Sequence, residues 1–285
     1  MNHLPGMDPK QSTSRAVAGA AAGAACTGEL EHAYGPRVTL LDSACLATRL
    51  LKLSQPACGR AELLRHLRAA YAQLLSAALD RRVPRRALEA DTRMAASAGG
   101  AGRLSARVLD PELRVVLVDV IRGGIVPAQT CFELLGELLP EEHLRLDHLN
   151  LARRADAAGR VTGVELSGSK IGGPVDGALL ILPDPMGATG GTTVRVLEHY
   201  FEHHGRPGQV LLLPLIATPE YLRRVLDFDR ELCVVAGRLD RGLSPGEVLA
   251  LRPGERWSEE RGLDAHSYIV PGAGGIGELL NNAWV

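Results

Sequence analysis

From about residue 37 onward, apolar positions recur with two different periods. Over Thr39–Lys52, Leu40, Leu41, Cys45, Leu50 and Leu51 fall at helical spacing. Over Ala61–Leu79 the same spacing is kept by Leu63, Leu64, Leu67, Tyr71, Leu74, Leu75 and Leu79, with Gly59 and Pro84 punctuating the ends. These predict two helices. Residues 92–106 read as a Gly/Ala/Ser-rich connector, after which the grammar changes. Short β-branched runs (Val115–Val120, Leu179–Leu182, Val210–Ile216, Leu232–Ala236) alternate with helix-like stretches (Pro127–Leu139, Thr192–His204, Pro219–Leu226). Such alternation predicts an α/β fold: three layers around a mostly parallel central sheet, preceded by the two helices. Residues 1–36 are expected to be a disordered low-complexity tail and 37–285 a single domain. The polar segment Ser244–Arg261, with its Gly and Pro, reads as an excursion from that domain.

Composition narrows the function classes. The 32 cationic and 33 acidic residues nearly cancel, so no global field draws the chain to nucleic acid or to an anionic membrane. No apolar stretch approaches the roughly 20 residues needed to span a bilayer. The Ala/Gly run Ala16–Ala25 before Cys26 lacks the strongly apolar character of a signal segment. Five scattered cysteines without a C-x-x-C fit a reducing cytoplasm and indicate neither a disulfide framework nor a structural zinc site. His199 and His203 are spaced i, i+4 but have no third ligand in sequence, so a solvated helix face is expected there. The basic cluster Arg81, Arg82, Arg85 and Arg86 follows the second helix, where cations complement the helix dipole.

The sharpest chemical signal is Leu179-Leu-Ile-Leu-Pro-Asp184-Pro185-Met186-Gly187-Ala188-Thr189-Gly190-Gly191-Thr192-Thr193. It reads as a buried strand, an acidic residue near its C-terminal end, and a small-residue loop opening a helix. Gly190 and Gly191 let backbone N–H groups approach an anion, the helix N-terminus adds partial positive charge, and Thr189, Thr192 and Thr193 bring hydroxyls. Asp184 cannot serve the same phosphate, because like charges repel. Its natural partner is a sugar diol, which donates two hydrogen bonds to a carboxylate. Together they describe a phosphorylated-sugar site at the C-terminal edge of a parallel sheet. Neither a Walker loop nor a G-x-G-x-x-G follows the first strand.

This string resembles the phosphoribosyl-pyrophosphate loop D-P-M-x-A-T-G-G-[ST] of the uracil phosphoribosyltransferases. Tyr268-Ile-Val-Pro-Gly-Ala-Gly-Gly275-Ile276-Gly277 is similar to that family's uracil-binding loop, and Val120-Ile-Arg122-Gly-Gly124 to its I-L-R-A-G strand end. The resemblance spans about Arg37 to Val285 and implies the family's phosphoribosyltransferase-type fold. It also implies transfer of a phosphoribosyl group to uracil, giving UMP and pyrophosphate, with Mg²⁺ bound through the pyrophosphate. No protein-held metal follows from it. Asp184 and Arg122 would be the catalytic residues. The phosphoribosyl substrate would meet Arg122, Arg153, Lys170, Asp184, Pro185, Met186, Gly187, Ala188, Thr189, Gly190, Gly191, Thr192 and Gly275. Uracil would meet Ile269, Gly274, Gly275 and Ile276, largely through main-chain groups. The implied setting is pyrimidine salvage by a cytoplasmic homo-oligomer acting on small molecules, with neither nucleic acid nor membrane as partner.

Several positions depart from the family pattern. Gly275 stands where the family has Asp, with Glu278 in register with the next acid. Gly187 replaces a bulkier apolar residue, and Gly123 an alanine. About eighteen residues are inserted between Gly242 and Gly262, long for a connection inside a compact domain. These departures keep two other readings open: transfer to a different base, and a weakly catalytic regulator that senses phosphoribosyl pyrophosphate or UMP.

Overall fold

In the computed structural model, residues 28–155 and 161–283 are described, with side chains described outside 152–164. The Ala16–Ala25 run, Cys26 and the side chain of Arg153 lie outside the described residues. The chain opens with β1 (Val38–Leu40), α1 (Ala44–Leu53) and α2 (Arg60–Arg82). A β-hairpin follows, β2 (Arg85–Asp91) and β3 (Arg103–Leu109), with the short helix α3 (Ala95–Ala98) at its tip. Next come β4 (Val115–Ile121), α4 (Ile125–Gly136), β5 (Leu144–Ala155) and β6 (Val161–Lys170). Then β7 (Leu179–Gly187), α5 (Gly191–His203), β8 (Gln209–Ala217), α6 (Pro219–Phe228) and β9 (Leu232–Ala236) complete the alternation. Two-residue β10 (Arg238–Leu239), four-residue α7 (Gly246–Leu249) and α8 (Ile276–Asn281) close the chain.

The main sheet runs β1-β9-β8-β7-β4-β5-β6 and is parallel except for the β5–β6 pair. Its central strands are apolar on both faces, as full burial demands. Val115, Leu117, Leu179, Ile181, Leu211 and Leu213 face one core with α1, α2 and α4. The intervening Val116, Val118, Leu180, Leu182, Val210 and Leu212 face the other, with α5 and α6. This is the predicted three-layer α/β architecture.

Three expectations need correction. Thr39, placed at the start of a helix, lies in β1, which pairs in parallel with β9 as an edge strand. The helix starts only after Ser43, whose side chain accepts from Leu46 N and so stops the helix from extending backwards. The connector at 92–106 contains most of a hairpin turn and the start of β3; its strands are exposed along almost their whole length, so they carry no apolar alternation. Two members of the basic cluster behave as the helix-dipole argument requires, while Arg82 donates to Pro36 O and Val38 O and Arg86 pairs with Asp110. Arg81 Nη1 donates to Ala77 O, and Arg85 Nη2 to Asp80 O, near the α2 C-terminus.

Residues 28–36, assigned to the tail on composition, are packed against the body. Tyr34 is 5% exposed, stacks edge-on against Trp257 and donates its hydroxyl to buried Glu260. Glu260 also accepts from Arg241 Nη1 at 2.8 Å and from the Gly254 N–H. The polar excursion 244–261 is thus pinned to the N-terminal segment by a buried acid.

Candidate active site

The order of the sheet sets the place of the site. From β4 the chain steps outward to β5, and from β7 it steps the other way to β8 and β9. Their crossover helices, α4 and α5, therefore lie on opposite faces, which leaves a crevice beyond the C-terminal ends of β4 and β7. A cavity of about 650 Å³ occupies that crevice. Its walls are the β4 end (Val120–Gly124), the β7 end (Asp184–Met186), Ala188 and Thr192, and the C-terminal loop (Ser267–Ile269, Gly274–Glu278), with Leu151 from β5. Arg122, Asp184 and Glu278 are the charged residues among this lining.

The β4 end turns tightly. Gly124 N donates to Val120 O at 2.9 Å, and a Cβ on Gly124 would sit 2.7 Å from Val120 N and O, so glycine is required there. Gly123 is different: its Cβ would meet only Pro185 at 3.6 Å, ordinary contact, so the alanine-to-glycine departure costs no packing. The Ile121–Arg122 peptide is cis. Arg122 Nη1 donates to Ala283 O at 3.2 Å, tying the strand end to the segment after α8.

Asp184 lies in β7, half-buried, and its Oδ1 accepts from Met186 N at 3.0 Å. Gly190 has φ +74° and caps α5, so Thr192 lies in the first turn of that helix. The Thr189 hydroxyl accepts from Gly191 N at 3.3 Å. Thr193 departs from expectation: it is buried and its hydroxyl donates to the Tyr221 hydroxyl at 3.4 Å, so it faces the core rather than a phosphate. Gly187 has a packing reason. A Cβ there would come within 2.9 Å of Pro214 Cβ and 3.2 Å of Tyr221 Cδ2, so the Tyr221 ring fills the space a larger residue would take.

The second loop is braced from β10. Asp240, 2% exposed, accepts from Arg238 Nε at 2.6 Å and Nη2 at 2.8 Å, and from Gly272 N at 2.8 Å. Arg238 Nη2 returns a bond to Gly272 O at 2.9 Å, and Nη1 reaches Ser54 Oγ at 3.2 Å. The ion pair thus grips both polar groups of one loop peptide residue, whose φ of +63° favours glycine. Ile269 packs into the core and bridges Leu263, while Ile276 N donates to Gly274 O at 3.1 Å.

Of the residues expected at the site, the fold brings Arg122, Asp184, Pro185, Met186, Ala188, Thr192, Ile269, Gly274, Gly275 and Ile276 onto one cavity. Gly187, Thr189, Gly190 and Gly191 form the turn beside it without lining it. Lys170 is not brought there; it is exposed at the end of β6, in register with His148 of β5. Arg153 lies on β5 opposite Val164 of β6. Arg224 on α6 was not anticipated. Its Nη1 lies 3.5 Å from where a Cβ of Gly191 would stand, beside the phosphate-type loop, and it makes no hydrogen bond or ion pair among the described residues. Its signal is invisible in sequence because 33 residues and a full crossover separate Arg224 from Gly191. No group of three or more His, Cys, Asp or Glu among the described residues is arranged to hold a metal.

Comparison with known proteins agrees with the geometry. The family model described as uracil phosphoribosyltransferase matches residues 42–254. The uracil phosphoribosyltransferase of Pyrobaculum islandicum is 29% identical over 165 residues, covering 58% of this chain and 64% of that protein. Over that relative and the next two, the match spans less than two thirds of their length, 64%, 60% and 58%. The uracil phosphoribosyltransferase of Symbiobacterium thermophilum is 27% identical over 244 residues, 86% of this chain and 97% of its own. Among solved structures, the AQ2163 protein from Aquifex aeolicus superposes with a TM-score of 0.65 over 87% of this chain and 99% of that one, at 21% identity, which shows a shared fold. With the family match running from residue 42, just before α1, to residue 254, within the excursion after β10, this chain belongs to the uracil phosphoribosyltransferase family.

Proposed function

We propose that this protein transfers the phosphoribosyl group of phosphoribosyl pyrophosphate to uracil, releasing UMP and pyrophosphate. The observation that carries the reading is the convergence of Arg122, Asp184, the loop into α5 and the Ser267–Glu278 loop on one cavity at the switch point of the sheet. In the reaction the bond from the anomeric carbon to pyrophosphate breaks, its electron pair leaving on oxygen. Uracil N1 bonds to the carbon and loses its proton to water. Positive charge develops on the ribose as the bond breaks, and a fixed carboxylate on that side stabilises it. Asp184 is suited to this and to holding the ribose hydroxyls. Arg122 neutralises the departing pyrophosphate, and Arg153 is a further candidate for that role. The α5 N-terminus with Ala188–Thr192 receives the 5′-phosphate, with Arg224 as an added cation. Main-chain groups of the loop around Ile269, Gly274, Gly275 and Ile276 face the base, whose alternating donors and acceptors they can match.

Mg²⁺ would enter on the pyrophosphate as part of the substrate, whose phosphate oxygens suit its preference for oxygen ligands. The reading includes a cytoplasmic setting and a homo-oligomer. The β2–β3 hairpin supports the latter, because an isolated two-stranded ribbon is marginal and this one exposes Leu88, Met94, Leu104 and Val108.

Binding tests the reading first. Phosphoribosyl pyrophosphate with Mg²⁺ should raise the melting temperature, a ligand at a hundred times Kd adding about 2.7 kcal/mol. Thr189→Val, which removes the hydroxyl that orders Gly191 N, and Arg224→Ala, which removes the nearby cation, should each shrink the shift while leaving the unliganded melting temperature within a degree or two of the parent, the usual effect of a surface change. Undiminished shifts in both variants would put the phosphate elsewhere.

A further inference from the structure

Gly275 has φ −79° and ψ 79°, a conformation open to L residues, so its backbone does not call for glycine. What lies against it is the far end of one flexible side chain. A Cβ on Gly275 would overlap Glu278 Oε2 and lie 3.0 Å from Glu278 Cδ. Gly274, by contrast, has φ +71° and open space around its missing side chain. The glycine at 275 thus makes room for a carboxylate, where the glycine at 274 makes a turn.

That carboxylate belongs to the wall of the cavity shared by Arg122 and Asp184. It accepts no hydrogen bond and forms no ion pair among the described residues. A half-buried carboxylate seated against a glycine, with no protein donor on it, has its lone pairs free for a ligand. Phosphates offer it nothing, since they carry the same sign of charge and few donors. The donors in the proposed substrates are the ring N–H groups of the base and the hydroxyls of the ribose.

We infer that Glu278 contacts the bound substrates, accepting a hydrogen bond from an N–H or O–H donor, and that Gly275 leaves the space its side chain occupies. The inference rests on the proposed phosphoribosyl transfer and adds to it a second carboxylate, three residues along from the loop position that lacks one.

Three variants test it by steady-state kinetics with uracil and phosphoribosyl pyrophosphate. Glu278→Gln should lower kcat/KM about ten- to a hundredfold, the scale for losing one charge-assisted hydrogen bond. Gly275→Ala should lower it in the same direction, because the methyl group displaces the carboxylate while the backbone tolerates it. The double variant Gly275→Asp/Glu278→Gln returns a carboxylate to the same space and should recover activity to within about threefold of the parent, a rescue that a merely structural role would not give. A rise confined to KM for uracil assigns the donor to the base, and one confined to KM for phosphoribosyl pyrophosphate assigns it to the ribose. If Glu278→Gln and Gly275→Ala both match the parent, or the double variant is no better than Glu278→Gln, the inference fails. A parent that makes no nucleotide from uracil defeats the uracil reading alone. The assignment is then read from the melting shifts produced by phosphoribosyl pyrophosphate and by each free base. Glu278→Gln must shrink at least one of them, and no change in any overturns it.

Discussion

Asp184→Asn is expected to lower kcat/KM by roughly two to three orders of magnitude, the cost of removing one preorganised group that stabilises transition-state charge. The amide keeps the shape and can still accept from Met186 N through its oxygen, so the loop and the unliganded stability should be retained. What is lost is the negative charge beside a carbon that becomes cationic, together with one of two acceptors for the ribose diol. Because the charge matters most in the transition state, kcat should fall more than KM rises. Steady-state kinetics with a melting curve on the same sample check this. Activity within about threefold of the parent would show that Asp184 is a structural residue and that the ribose lies elsewhere.

The largest expected effect on stability is at Asp240. Removing one partner of a buried, hydrogen-bonded ion pair costs about 3–5 kcal/mol, because the other charge is left stranded. Asp240→Ala would strand Arg238 and release the Gly272 N–H at once. A urea denaturation midpoint should report that loss. A ligand effect should accompany it, since the loop from Ser267 to Glu278 walls the cavity and is held through Gly272. The KM for the base should rise more than the KM for the phosphoribosyl substrate. Arg238→Met/Asp240→Leu, which removes both charges, should be substantially more stable than Asp240→Ala. The exposed pair Arg85–Asp80 is the internal contrast, where Arg85→Ala should cost no more than about 1 kcal/mol. A loss below that level at Asp240 would mean that the loop does not depend on the pair.

How far the residues alone disclose this architecture depends on whether the deciding contacts are local. The β7–loop–α5 unit is legible because everything it needs falls within 25 consecutive residues: an apolar run, an acid, two glycines and an amphipathic helix. The strands β4, β8 and β9 are legible for the same reason, being short apolar runs buried on both faces. The β2–β3 hairpin is not, because a ribbon exposed on both faces has no burial to impose a pattern. Nor is the docking of Tyr34 on Glu260, a contact across 226 residues that converts an apparently low-complexity segment into part of the body. At the site, Arg122, Asp184 and the two loops can be chosen from motifs, but their meeting depends on strand order. Arg224 and the Gly275–Glu278 contact arise only once α6 and α8 are in place, and the latter is written in a side chain that is absent. Thr193 shows the reverse limit. Its hydroxyl chemistry suits a phosphate, yet the helix phase turns it toward Tyr221.

The central claim is tested most directly by incubating the purified chain with labelled uracil, phosphoribosyl pyrophosphate and Mg²⁺, and separating the products by chromatography. The account predicts that labelled UMP and pyrophosphate appear in equal amounts, at a rate that collapses in Asp184→Asn. No nucleotide from uracil, under conditions where phosphoribosyl pyrophosphate demonstrably binds, would contradict it.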